Sequence, residues 1–274
     1  MKKTEPVQNG NPHQLTVKQH TFPARSIMRF AMESRVDAVI KKEKRRFSCK
    51  PDDGLFYAKR LWDHHSEHGF MNDVEVSFQR VADKIVNGHW NLNKADSRAI
   101  SDFNILWKLR QRERSQRNIH VQFPGYKGKK VVIDKDRQER HEKRGVLYWD
   151  QWGEIPNRML TGTSLEIQLL AERERNQDYS WGVFIAKPEQ GEFLVPDRSL
   201  YAVVPVSPTI CLVSNERSRF VGFSFVARLN GMSVENAENY YFAQNIEKCP
   251  ILLGATLHDE LIRSGFLKNS LILD

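Results

Sequence analysis

His64 and His68 stand four residues apart in the run Trp62-Asp63-His64-His65-Ser66-Glu67-His68, a spacing that puts two imidazoles on one helix face with Asp63 or Glu67 as a further ligand. It is the most metal-like segment of the chain. His65 stands where an HExxH zinc hydrolase needs its glutamate, and histidines near a helix C-terminus also complement the helix dipole without any metal. Asp134, Asp136, Glu139 and His141 form an acidic island inside basic sequence. A magnesium-dependent phosphodiester-cleaving site needs that combination, carboxylates for the ion and cations for the phosphate, but ion pairing within a charged loop uses the same residues. Gly125, Gly128 and Lys129 do not make a phosphate loop, because Lys130 follows Lys129 and only two residues separate the glycines. There is no GxSxG elbow, and Cys211 and Cys249 lie in apolar runs where an inert, buried thiol is expected.

Charge is the stronger signal. The 274 residues carry 42 Lys plus Arg against 34 Asp plus Glu, a formal charge of +8. Residues 41–50 (KKEKRRFSCK) hold six basic residues and one acid, with Lys41, Lys42, Lys44, Arg45 and Arg46 close together. Residues 108–144 hold thirteen against five, including Arg110, Arg112, Arg114, Lys127, Lys129 and Lys130. The rest of the chain is mildly acidic. Clustered cations meet the electrostatic requirement of a polyanion, because neutralising phosphates releases condensed counterions. Phe47, Trp107, Phe123, Tyr126 and Trp149 lie nearby as possible stacking partners for bases. The alternative is that both runs are solvated faces that keep the protein in solution.

With 40 % hydrophobic and 28 % charged residues the chain has material for a sizeable core and too much for disorder. No apolar run approaches the length of a spanning helix, and the start lacks the pattern of a secretory signal, so a soluble, cytoplasmic protein with no membrane partner is expected. Cys49, Cys211 and Cys249 support neither a disulfide framework nor a cysteine zinc site.

Periodicity gives the elements that must position these groups. Residues 1–19 read as a loose polar arm with an Asn9-Gly10 turn. Helices are expected over 26–39, 55–69, 72–86, 94–117, 157–177 and 233–244, the clearest being 72–86, where Val74, Phe78, Val81, Ala82 and Ile85 recur at helical spacing. Strands are expected over 131–133, 146–149, 181–186, 192–195, 200–206 and 210–213, the last four as an antiparallel meander, with a final strand or packed stretch at 251–253. The class is α+β: a mainly helical region, 20–122, packed on a mixed, largely antiparallel region, 123–274, as one continuous domain.

Two segments carry a family resemblance. His20-Thr21-Phe22-Pro23, followed by Ile27 and Phe30, and Glu192-Phe193-Leu194-Val195-Pro196-Asp197, followed by Val203-Val204-Pro205-Val206-Ser207-Pro208, resemble the opening and the strand, Asp-turn and Pro-rich strand of the bacterial and prophage domain-of-unknown-function 4238 family. Only His20 stands where that family often has a His pair, and Ser199 where it often has Pro. The resemblance implies a bacterial or prophage origin and no established activity. It marks His20 and Asp197 as the polar pair for a catalytic role, base with orienter or metal ligands, or else as an arm anchor and a turn former. The expected function is a prophage or mobile-element accessory protein of phage defence, interfering with phage development by binding nucleic acid or a nucleic-acid-bound replication protein. The alternative is a metal-dependent nuclease. No cofactor is expected under the first reading, and a divalent metal under the second, with His20 and Asp197 or the island of Asp134, Asp136, Glu139 and His141 as the residues of the site.

Overall fold

The computed structural model describes residues 5–115, 121–122, 133–149, 153–175, 179–200 and 202–254. In chain order the elements are β1 (Lys18–His20), α1 (Ala24–Met28), β2 (Val36–Ile40), β3 (Arg45–Cys49), β4 (Tyr57–Lys59) and α2 (His64–Ser66), which runs through a π turn (Glu67–Met71) into α3 (Asn72–Val86). Then come α4 (Lys94–Ser115), β5 (Val121–Gln122), α5 (Lys135–Lys143), β6 (Glu154–Ile155) and α6 (Asn157–Arg175). The last stretch holds β7 (Trp181–Ala186), β8 (Val195–Pro196), β9 (Val203–Ser207), β10 (Ile210–Ser214), β11 (Arg219–Val221), α7 (Phe223–Asn236) and β12 (Tyr240–Ala243). The class is α+β, with helices mostly in the N-terminal half and sheets mostly in the C-terminal half. None of the described helices is long and apolar enough to cross a membrane.

The chain divides into two compact units that alternate along it: residues 1–26 with 52–180, and 27–51 with 181–274. This corrects the expected boundary at 122/123, because residues 27–51 carry β2 and β3 into the sheet of the second unit.

In the first unit α3 presents the predicted stripe of Val74, Phe78, Val81, Ala82 and Ile85 to its interior. Phe78 stacks on Phe103 of α4 at 3.7 Å, and Phe22 lies 4.7 Å from Trp107. Burying each such ring is worth about 2–3 kcal/mol. Central α4 is buried on most sides, so even its polar residues need partners: Asp102 accepts from Arg173 Nε at 2.6 Å and Nη2 at 2.8 Å, tying α4 to α6. A close approach fixes α6 against α2, since a Cβ on Gly162 would lie 2.0 Å from Ser66 Oγ and 2.1 Å from Asp63 Oδ2.

The second unit is built on two four-stranded sheets, ordered β11-β7-β10-β9 and β3-β2-β12-β8. All pairings are antiparallel except β11 with β7. The expected meander does not form, because β8 leaves for the sheet of β12. Phe184, Phe193, Val203, Cys211, Val226 and Leu229 form a buried core between sheet and α7.

Several local expectations are corrected. Residues 26–39 are not one helix: α1 ends at Met28 and β2 begins at Val36, held by β3 and β12. Residues 55–69 open with β4, and α2 is N-capped by Asp63, which accepts from Ser66 N at 2.8 Å. The last helix starts ten residues before Ser233, whose hydroxyl donates back to Leu229 O at 2.9 Å from inside it. Residues 146–149 and 251–253 form no strand, and 131–132 lie outside the described residues. Of the arm expected over 1–19, residues 1–4 lie outside the described residues and residues 5–17 are held in place, Gln8 on Glu139, His13 on Asp136 and Thr16 on His64.

Candidate nucleic-acid interface

The basic run 41–50 becomes the tip and outer strand of the β2–β3 hairpin, in register from Val36 opposite Cys49 to Ile40 opposite Arg45. β3 is an edge strand, and edges rich in charge resist pairing with other chains. Its alternation sorts the cations. Arg46 turns to Asp37 at 2.7 Å and Glu247 at 2.8 Å, which hold its guanidinium above even the usual arginine range. Arg45 faces the opposite side, exposed, 5.2 Å over the Phe47 ring and 2.8 Å from Glu43. Lys41 is taken for structure: its ammonium donates to Glu235 O at 2.9 Å and Ala237 O at 2.6 Å, capping the C-terminus of α7. Lys42, Lys44 and Lys50 are exposed and have no ion-pair partner among the described residues. Arg35, also exposed, donates to Ser48 Oγ at 2.9 Å and Ser48 O at 2.6 Å, so its charge is uncompensated.

The second basic segment belongs to the other unit, and most of its described charge is spent internally. Arg110 is buried, paired with Glu75 and 3.6 Å from Glu67, 5.2 Å over the Trp62 ring. That corrects its assignment to a binding surface. Arg112 donates to Gln168 and lies 3.5 Å from Glu113, and Arg114 donates to Leu55 O at 2.9 Å. Lys127, Lys129 and Lys130 lie outside the described residues.

His20 and Asp197 fall in different units. The half-buried His20 ring lies edge-on to Tyr57 at 6.0 Å. Buried Asp197 closes a turn, accepting from Glu238 N at 2.7 Å, Asn239 N at 2.8 Å and Asn239 Nδ2 at 3.0 Å. The acidic island is likewise absorbed: Asp134 caps α5, Asp136 pairs with His13 at 2.7 Å and Arg140 at 2.9 Å, and Glu139 accepts from Gln8. His64 and His68 do meet, rings 4.2 Å apart, with Thr16 Oγ1 3.1 Å from His64 Nδ1 and 3.0 Å from His68 Nε2. No group of three or more His, Cys, Asp or Glu is arranged to hold a metal among the described residues. Burial pushes the Cys211 thiol far up and the Cys249 thiol to about 12, so neither is a nucleophile at neutral pH.

Sequence reasoning missed a buried ionic group in the first unit. Glu142 Oε2 lies 2.5 Å from Arg60 Nη2 and 3.0 Å from Arg158 Nε, while Arg158 Nη2 donates to the Tyr148 hydroxyl at 2.5 Å and its Nη1 lies 2.9 Å from Glu5. The signal was present in α5, whose residues KDRQERHEK include nothing apolar, so that any inward face had to be charged. Glu139 and Glu142, three apart, are that face. No protein-family model, curated protein or solved structure matches the chain.

Proposed function

We propose that the protein is a nucleic-acid-binding accessory protein whose β2–β3 hairpin grips the phosphate backbone. One observation carries the reading: Lys42, Lys44 and Arg45 at the tip of one hairpin, and Arg35 and Lys50 at its open end, are exposed, while of its two acids Asp37 is bound to Arg46 and Glu43 lies against Arg45. Phosphate contacts of this kind position a chain on nucleic acid without reading sequence, so binding is expected to be non-specific. The four of these cations without an acidic partner among the described residues, Lys42, Lys44, Lys50 and Arg35, give a slope of about −3 to −4 in log affinity against log salt. Phe47, half-buried under Arg45, offers a limited stacking face.

The test is fluorescence anisotropy with short single- and double-stranded DNA and RNA across a salt series. Binding that weakens with salt at that slope, and that falls at least about tenfold in the Lys42→Glu/Lys44→Glu variant, supports the reading. Salt-independent binding, or full affinity in the variant, overturns it. The resemblance to a prophage family supports a setting in which this binding interferes with phage development. Phage plating on cells expressing the wild type and the hairpin variant tests that setting, and protection that the variant retains counts against it.

A further inference from the structure

Residues 5–17 precede β1 and contain no strand or helix, yet polar contacts pin them to the first unit along their length. Gln8 donates from its backbone and side-chain nitrogens to Glu139 at 2.7 and 3.0 Å, His13 meets Asp136 at 2.7 Å, and Thr16 N donates to His64 Nδ1 at 3.1 Å. Leu15 is the buried apolar anchor. Glu5, at the start, places its carboxylate between Lys135, which donates to it, and Arg158 Nη1 at 2.9 Å.

The donors and the occupant of this cradle have different origins. Arg158 is held by Glu142 and Tyr148, with a side chain only 6 % exposed, and Lys135 stands on α5 within 4.0 Å of Glu139. Without Glu5 the body supplies Arg60, Arg158 and Lys135 against Glu139 and Glu142, an excess of one positive charge at a fixed place. The occupant is 34 % exposed, so the cradle opens to solvent. A guanidinium set rigidly beside a rotatable ammonium pairs with a phosphate in the same way as with a carboxylate. A tetrahedral dianion offers these donors more acceptor sites and more charge than one carboxylate does. We propose that this cradle is a binding site for a phosphate group, with Glu5 as its tethered stand-in. The tether gives Glu5 an effective concentration of order millimolar, so the wild type binds phosphate weakly and a chain lacking the carboxylate binds it well.

The site lies in the other unit from the hairpin, so the two readings stand or fall separately. Calorimetric titration of the full-length protein with inorganic phosphate tests it, using wild type, Glu5→Ala, Glu5→Gln and Glu5→Ala/Lys135→Ala. Glu5→Ala is expected to bind phosphate at least about tenfold more tightly than wild type, and the second substitution to abolish that gain. Glu5→Gln, which keeps the side chain's size, shows a smaller gain, and circular dichroism establishes that each variant is folded. Oligonucleotides with a 5′-phosphate or a 5′-hydroxyl separate the sources: preference for the former supports a nucleic-acid end as the ligand, and equal binding supports free phosphate. Folded Glu5 variants with wild-type affinity, a gain that survives Lys135→Ala, or acetate binding as well as phosphate would each overturn the assignment.

Discussion

The Glu142 carboxylate meets the Arg60 guanidinium at 2.5 Å with both side chains 2 % exposed or less, and the same oxygen accepts from Arg158 Nε at 3.0 Å. One buried anion thus serves two buried cations. Glu142→Ala leaves both guanidiniums desolvated without that partner and is expected to cost about 3–5 kcal/mol in urea unfolding. A loss below about 1 kcal/mol would mean that water reaches the pair.

Neighbouring lysines at the hairpin tip are expected to separate stability from binding. Lys41→Ala removes the donor to two carbonyls at the end of α7 and should lower unfolding free energy by about 1–2 kcal/mol. Lys42→Ala touches no partner and should stay within about 0.5 kcal/mol of wild type while weakening nucleic-acid binding. Thermal unfolding and anisotropy on the same two samples check both halves.

His64 sets a pH dependence. Burial, then the charges of His68, Lys143 and His65, push its imidazole down to about 4 from an ordinary 6.5, which suits a ring whose Nδ1 accepts from Thr16 N. Because the unfolded chain binds the proton more readily, the stabilisation is complete above pH 6.5 and is lost as pH falls towards 4. The contribution is on the order of 1–2 kcal/mol once screening at the exposed His68 side is allowed for. His64→Asn, whose side-chain oxygen can replace Nδ1 as acceptor, should flatten stability between those pH values; an unchanged slope would assign it to other groups.

Asp197 is expected to matter for folding and not for cleavage. Asp197→Ala strands three donors at the 238–239 turn and should cost about 2–3 kcal/mol, with Asp197→Asn intermediate because one acceptor oxygen remains. Divalent-metal-dependent nuclease activity that disappears in a fully stable Asp197→Asn protein would restore the catalytic reading.

Local periodicity was enough to read α3, α4, α6, β7 and β10, since Val74, Phe78, Val81, Ala82 and Ile85 declare a helix face without reference to anything distant. It failed where a distant partner decides. Val36–Ile40 is a strand because Tyr240–Ala243, two hundred residues later, pairs with it, and Ser233 lies inside α7 because that helix is set by burial from Val226 onward. The charges divide in the same way. Composition and clustering marked both basic runs, but Arg110 and Lys42 look alike in sequence. Only folding brings Glu75 and Glu67 beside the first and leaves the second in solvent, because a charge is defined by its neighbours and its hydration, and neither is a property of the residue alone.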